Sequence, residues 1–121
     1  MSSFTEPLTV TKLENGLWKT AHSFCYYIGM EDSENFITVP AGFCTDFASV
    51  PRGLWNIFPP DGKYSQAAVL HDFLYKTHML TRKRSDKIFL ESMQVLKVSW
   101  LKRHLMYRAV RIFGQGSWNN R

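Results

Sequence analysis

Residues 92–121 contain no acid, only six bases, so this stretch cannot neutralise itself through pairs along a helix. Residues 1–62 run the other way, with seven acids against three bases, and residues 63–91 hold six bases against three acids. The polarity leaves two readings open: a solvated basic face, or a docking face for nucleic acid, anionic lipid or an acidic protein. Cysteine is scarce too. Cys25 and Cys44 are the only two, which excludes a disulfide framework. Neither belongs to a set of cysteines and histidines large enough for a zinc site. Both are expected to be buried thiols serving as small apolar residues. No apolar run reaches the roughly 18 residues of a membrane-spanning helix. No basic start, apolar run and small-residue cleavage site combine into a signal peptide, so the protein is expected in a cytoplasm or in a particle assembled there.

What is present is ordinary globular material of one domain's length. The chain has 121 residues, 45% of them apolar, 21% charged and 15% aromatic. Residues 1–40 read as β. Leu8 to Leu13 alternates and meets Asn15-Gly16, a strong hairpin signal, before Leu17-Trp18-Lys19 resumes. His22 to Ile28 and Phe36 to Val39 supply further strands, separated by a polar turn at Gly29 to Asn35. Residues 41–64, rich in proline and glycine, form a connection, with a short helix over Pro51–Ile57.

From residue 65 to 114 the pattern is helical. The first helix is expected over Ser65–Lys76 with Ser65 as its cap, and the second from Thr81 to about Leu96. In the second, Ile88, Phe89, Met93 and Leu96 follow helical spacing. The third is expected over Ser99–Phe113, with Leu101, Leu105, Ala109 and Ile112 as its stripe and Gly114 as C-terminal cap. Residues 115–121 read as a loose tail. The fold class is α+β: a single domain with a small N-terminal antiparallel sheet, followed by a layer of three helices that covers one of its faces.

The chemistry concentrates on His71-Asp72. His71 and Tyr75 are four apart and share a helix face, while Asp72 is turned about 100° away. The turn at Thr77–Thr81 is short, so the first two helices are antiparallel neighbours. His71 before the turn and Asp86 after it reach similar heights at about 1.5 Å per residue. A carboxylate bonded to one imidazole nitrogen fixes the tautomer and leaves the other as a general base for water. Tyr75 would anchor that carboxylate, and Asp72 is placed to bind a divalent cation or orient a substrate. The alternative is a buried His–Tyr–Asp cluster that locks the hairpin.

Other candidates sit around this core. In Thr45-Asp46-Phe47-Ala48-Ser49-Val50-Pro51, Asp46 is a candidate metal ligand or second carboxylate near His71. The local alternative is that Asp46 and Ser49 satisfy backbone donors at a turn. Lys102, Arg103, Arg108 and Arg111 form a basic face with Trp100 and Tyr107, a mix able to grip phosphates and stack bases. No sequence-specific DNA-binding motif accompanies it. His22 sits in a strand pattern, and His78 and His104 read as turn and surface residues.

Two resemblances attach to these residues. His71-Asp72-x-x-Tyr75 with Ser85-Asp86-x-x-Phe89 resembles the helix-pair core of secreted, bacterial and parvoviral phospholipases A2. The resemblance implies His71 as the base that activates water, Asp72 as a calcium ligand, Asp86 as the support for His71, and Tyr75 as its helper. Where that family has a glycine-rich calcium loop, Gly42-Phe43-Cys44-Thr45-Asp46 holds one glycine. The second resemblance spans nearly the whole chain. Val39-Pro40-Ala41-Gly42-Phe43, Thr45 to Arg52, His71-Asp72-x-Leu74-Tyr75, Asp86-x-x-Phe89 and Met106-Tyr107-x-Ala109-Val110-Arg111 resemble a family of small proteins common in tailed phages and prophages. It implies a viral context, in the bacterial host cytoplasm or on the virion. Together these lead to a phage-encoded hydrolase-like protein acting on lipid or cell-envelope ester or amide bonds. The alternatives are a non-catalytic virion or accessory protein, or a binder of a host factor.

Overall fold

The structure is a computed structural model that describes residues 3–5, 7–13, 17–29, 35–45 and 65–119. It is α+β, with short antiparallel strands followed by helices. The chain divides into two compact units, Met1–Asp46 and Phe47–Arg121. The Asn15-Gly16 turn, most of the 29–35 turn, the helix expected over Pro51–Ile57, and both Asp46 and Ser49 lie outside the described residues.

The first unit holds six short strands among the described residues: β1 (Ser3–Phe4), β2 (Val10–Lys12), β3 (Trp18–Thr20), β4 (Phe24–Tyr27), β5 (Phe36–Val39) and β6 (Cys44–Thr45). They form two three-stranded sheets rather than the single sheet expected, ordered β1-β4-β5 and β2-β3-β6. In the first sheet Phe24 pairs with Val39 and Tyr26 with Ile37, and all four are buried. Alternate residues of a strand share a face, so this register gathers the apolar side chains together. Phe4 adds its ring at 4.7 Å from that of Tyr26.

Thr20 explains why the chain switches sheets. Its Oγ1 donates to the Pro40 carbonyl at 2.8 Å and accepts the Phe43 amide at 2.9 Å. Its backbone amide donates to Phe43 O, and its carbonyl accepts Gly42 N–H. One buried threonine thus satisfies four backbone groups of the Pro40–Phe43 turn, in which Gly42 takes φ +82°. The turn ends pairing with β4 and delivers β6 to β3, where Thr45 opposes Trp18. Both thiols are free and half-buried rather than buried. Cys25 Sγ lies 3.2 Å from Thr38 Oγ1, a polar contact an apolar filler would not make. His22 is exposed at the bend before β4, not within a strand.

The second unit holds α1 (Ser65–Thr77), α2 (Arg82–Val95), α3 (Trp100–Phe113) and the short α4 (Gln115–Asn119). Ser65 is the first helical residue of α1 rather than its cap. Ten consecutive or near-consecutive residues of α1, Ser65–Asp72 with Leu74 and Tyr75, are buried, so it is a core helix instead of a one-sided one. His78, at φ +53°, ends it, its amide bonded to Leu74 O. Thr81 caps α2 through a bond from Arg84 N to its Oγ1. At the other end Lys97 at φ +63° and Val98 return their amides to Gln94 O and Met93 O, a Schellman closure without glycine. Ser99 caps α3.

Two expectations for this unit are corrected. The stripe Leu101, Leu105, Ile112 faces outward at 71%, 46% and 68% exposure, with Ala109 half-buried, and Met106 and Val110 face inward. α3 carries two apolar stripes, and periodicity alone does not say which one packs. Residues 115–119 are helical rather than loose. Trp118 stacks on His78 with ring centroids 3.8 Å apart, and its backbone oxygen accepts His78 Nε2 at 3.0 Å. Those contacts hold a segment whose polar composition gave no helical signal.

Candidate functional site

Three helices converge on one carboxylate. Asp86, on α2, receives His71 Nε2 at 2.7 Å and the Tyr75 hydroxyl at 2.7 Å, both on Oδ1. Its Oδ2 accepts Arg111 Nη1 from α3 at 2.7 Å, and Arg82 Nη1 lies 3.7 Å away, one turn earlier on α2. Arg82 also donates Nη2 to the Arg111 carbonyl at 2.7 Å, fixing the last turn of α3 against α2. His71, Asp72, Tyr75 and Asp86 are all fully buried.

Burial alone would raise the Asp86 pKa, but the bonds from His71, Tyr75 and Arg111 outweigh it and hold the carboxyl below its ordinary range. Asp86 is therefore an ionised acceptor. Tyr75 is driven the other way: burial first, then its bond to the Asp86 anion, push the phenol well above its usual pKa. It stays a neutral donor. A neutral imidazole that donates Nε2–H to Asp86 has its lone pair on Nδ1. That atom is buried and has no hydrogen-bond partner among the described residues. The ring is clamped by Phe89, stacked with centroids 4.4 Å apart at 22°, and by Tyr75 at 4.2 Å. Buried polar atoms are nearly always satisfied, so an oriented imidazole nitrogen with no partner among the described residues is the candidate point of contact in this cluster.

The sequence reading brought His71, Tyr75 and Asp86 together, and the structure places them so. Asp72 is buried on the same helix, with Lys76 Nζ 4.0 Å from its Oδ2. Among the described residues no three histidine, cysteine, aspartate or glutamate side chains gather as a metal site. Thr45 sits in β6, in the strand unit. The basic face is reduced. Arg111 serves Asp86, and Arg103 donates Nη1 to Val98 O at 3.1 Å, leaving Lys102 and Arg108 exposed.

Four contributors were not placed in this cluster by the sequence, Arg111 having been read only as basic face and Gly114 only as a cap. Arg82 could have been found, since it stands four residues before Asp86 on one helix face. Arg111 and the ring of Trp118, 5.2 Å from Tyr75 and edge-on to it, come from distant sequence and left no local signal. Gly114 is the fourth. It is the C-terminal cap expected, at φ −77° and so without a left-handed backbone. A Cβ there would collide with Val110 O and lie 2.7 Å from the Tyr75 hydroxyl, so close approach requires the glycine.

Residues 18–110 match a family described as proteins of unknown function, DUF1353. The chain belongs to that family. The matched span runs from β3 nearly to the end of α3 and includes His71, Asp72, Tyr75 and Asp86. This DUF1353 protein is also 35% identical over 78 residues to "Uncharacterized protein y4jT" of Sinorhizobium fredii, a match covering 63% of the chain and 23% of that relative. The aligned part is thus under a quarter of the relative's own length. No solved structure matches the chain.

Proposed function

We propose that this protein is a hydrolase in which His71 Nδ1 is the general base, acting on an ester or amide of lipid or cell envelope. The observation behind the reading is the asymmetry of the imidazole: Nε2 held by Asp86, Nδ1 buried with no partner among the described residues. In the proposed step a water gives its proton to Nδ1 as its oxygen attacks the substrate carbonyl carbon. The imidazolium so formed is stabilised by Asp86 through Nε2–H. Nδ1–H then protonates the leaving alkoxide or amine as the C–O or C–N bond breaks, releasing a carboxylic acid and restoring His71. The likeness of the His71, Tyr75 and Asp86 set to phospholipase A2 supports the ester class. A divalent cation such as calcium would have Asp72 to bind, where Lys76 already supplies a positive charge. The context proposed is a tailed phage or prophage, from the motifs Val39–Phe43, Thr45–Arg52 and His71–Tyr75.

The test is turnover of labelled phospholipids and cell-envelope fragments by the full chain, with calcium and with chelator. Turnover abolished by His71→Ala and not by Lys83→Ala is expected, with Asp86→Asn strongly reduced. Because His71 is fully buried, water must be admitted to Nδ1 during turnover, so substrate should accelerate diethyl pyrocarbonate modification of His71.

That same full burial favours a second reading, a structural cluster in a virion or accessory protein or in a binder of a host factor. It predicts no turnover of any class, and a His71→Ala protein that loses stability while phage particles remain infective.

A further inference from the structure

We propose that the outward face of α3 docks on an anionic lipid surface. The helix leaves five large apolar side chains in solvent: Trp100, Leu101, Leu105, Ile112 and Phe113, at 46 to 71% exposure. Leu101, Leu105 and Ile112 lie within about 40° of one another around the axis at 100° per residue, so they form one stripe. The stripe spans most of the helix. Exposed Lys97 and Lys102 stand near its N-terminal end, and exposed Arg108 sits between Leu105 and Ile112.

Charge chooses among occupants. A second copy of this chain, set face to face, would bring basic stripes together, because residues 92–121 offer no acid to pair with them. Nucleic acid would use the bases but leave the leucines and isoleucine in water. A bilayer carrying anionic headgroups uses both. A helix lying in its plane sinks Leu101, Leu105 and Ile112 to the acyl boundary, sets Trp100 at headgroup level, and lets lysine and arginine extend to the phosphates. No described helix is long and apolar enough to cross a membrane, so the contact proposed is lateral. The proposal concerns binding only and stands whether or not His71 is a base.

The test is co-sedimentation of the full chain with vesicles of phosphatidylglycerol and phosphatidylcholine, against phosphatidylcholine alone. Binding to the anionic vesicles is expected, weakened about tenfold or more by Lys102→Glu with Arg108→Glu and by high salt. Leu105→Ser with Ile112→Ser should abolish it. Should either double variant misfold by circular dichroism, a fluorophore on Ile112→Cys, in a Cys25→Ser, Cys44→Ser background, reads insertion directly. Quenching by brominated lipid supports the proposal, and no quenching overturns it. It is also overturned by absence of binding to both vesicle types, by binding the double variants leave unchanged, or by a dimer in sedimentation velocity that Leu105→Ser dissolves.

Discussion

Arg111 Nη1 and Asp86 Oδ2 lie 2.7 Å apart, closing the last turn of α3 onto the second turn of α2. The pair gives the carboxylate a cation on the oxygen that His71 and Tyr75 leave free. One anion therefore ties α1, α2 and α3 together, and the hydrogen bonds that orient the imidazole also join the three helices.

Replacing Asp86 by alanine strips three donors of their acceptor and leaves a guanidinium facing a buried site. Removing one partner of such a pair costs about 3–5 kcal/mol, against a total stability of about 5–15 kcal/mol for a domain. Urea unfolding of Asp86→Ala should show a loss of that order. In a double-mutant cycle, the cost of Arg111→Ala should fall once Asp86 is gone. Strict additivity would mean the pair is not coupled.

Tyr75→Phe removes one charge-assisted hydrogen bond without changing ring packing. A loss of about 1.5–3 kcal/mol is expected in thermal or urea unfolding. Wild-type levels of stability in this variant would show that the phenol does not donate to Asp86.

The two shifted groups set opposite pH limits. Asp86 has a folded pKa below its unfolded value near about 3.9, so its stabilisation is present above that pH and is lost as pH falls through the folded value. Tyr75 is raised above its unfolded value near about 10, so its contribution is complete below that pH and drains away as pH climbs beyond it. Absorbance titration should find Tyr75 among the tyrosines that resist ionisation until the protein unfolds. The resistant class should lose one member in Tyr75→Phe.

Gly114→Ala should destabilise by about 1–3 kcal/mol, because the added methyl meets Val110 O and the Tyr75 hydroxyl and something must shift to admit it. Part of the cost is the displaced phenol. Combined with Tyr75→Phe, the glycine change should therefore cost less than it does alone, as unfolding midpoints of the four proteins would show.

The sequence by itself determined what is local. The short turn at His78–Leu80 and the 3.6-residue period set the heights of His71, Tyr75 and Asp86 on adjacent helices, and Thr81 and Ser99 marked helix starts through their own hydroxyls. Strands β2 to β5 were legible by alternation and turn residues, while two-residue β1 and β6 were not, since two residues carry no period. Tertiary structure decided the rest. Thr20 split the strands into two sheets by bonding a turn twenty residues away. The reach of Arg111 to Asp86 and the closeness of Gly114 to Tyr75 fixed the rotation of α3, turning Met106 and Val110 inward and Leu101, Leu105 and Ile112 outward. Both stripes have helical spacing. Only partners far along the chain distinguish the one that packs from the one that waits for another surface.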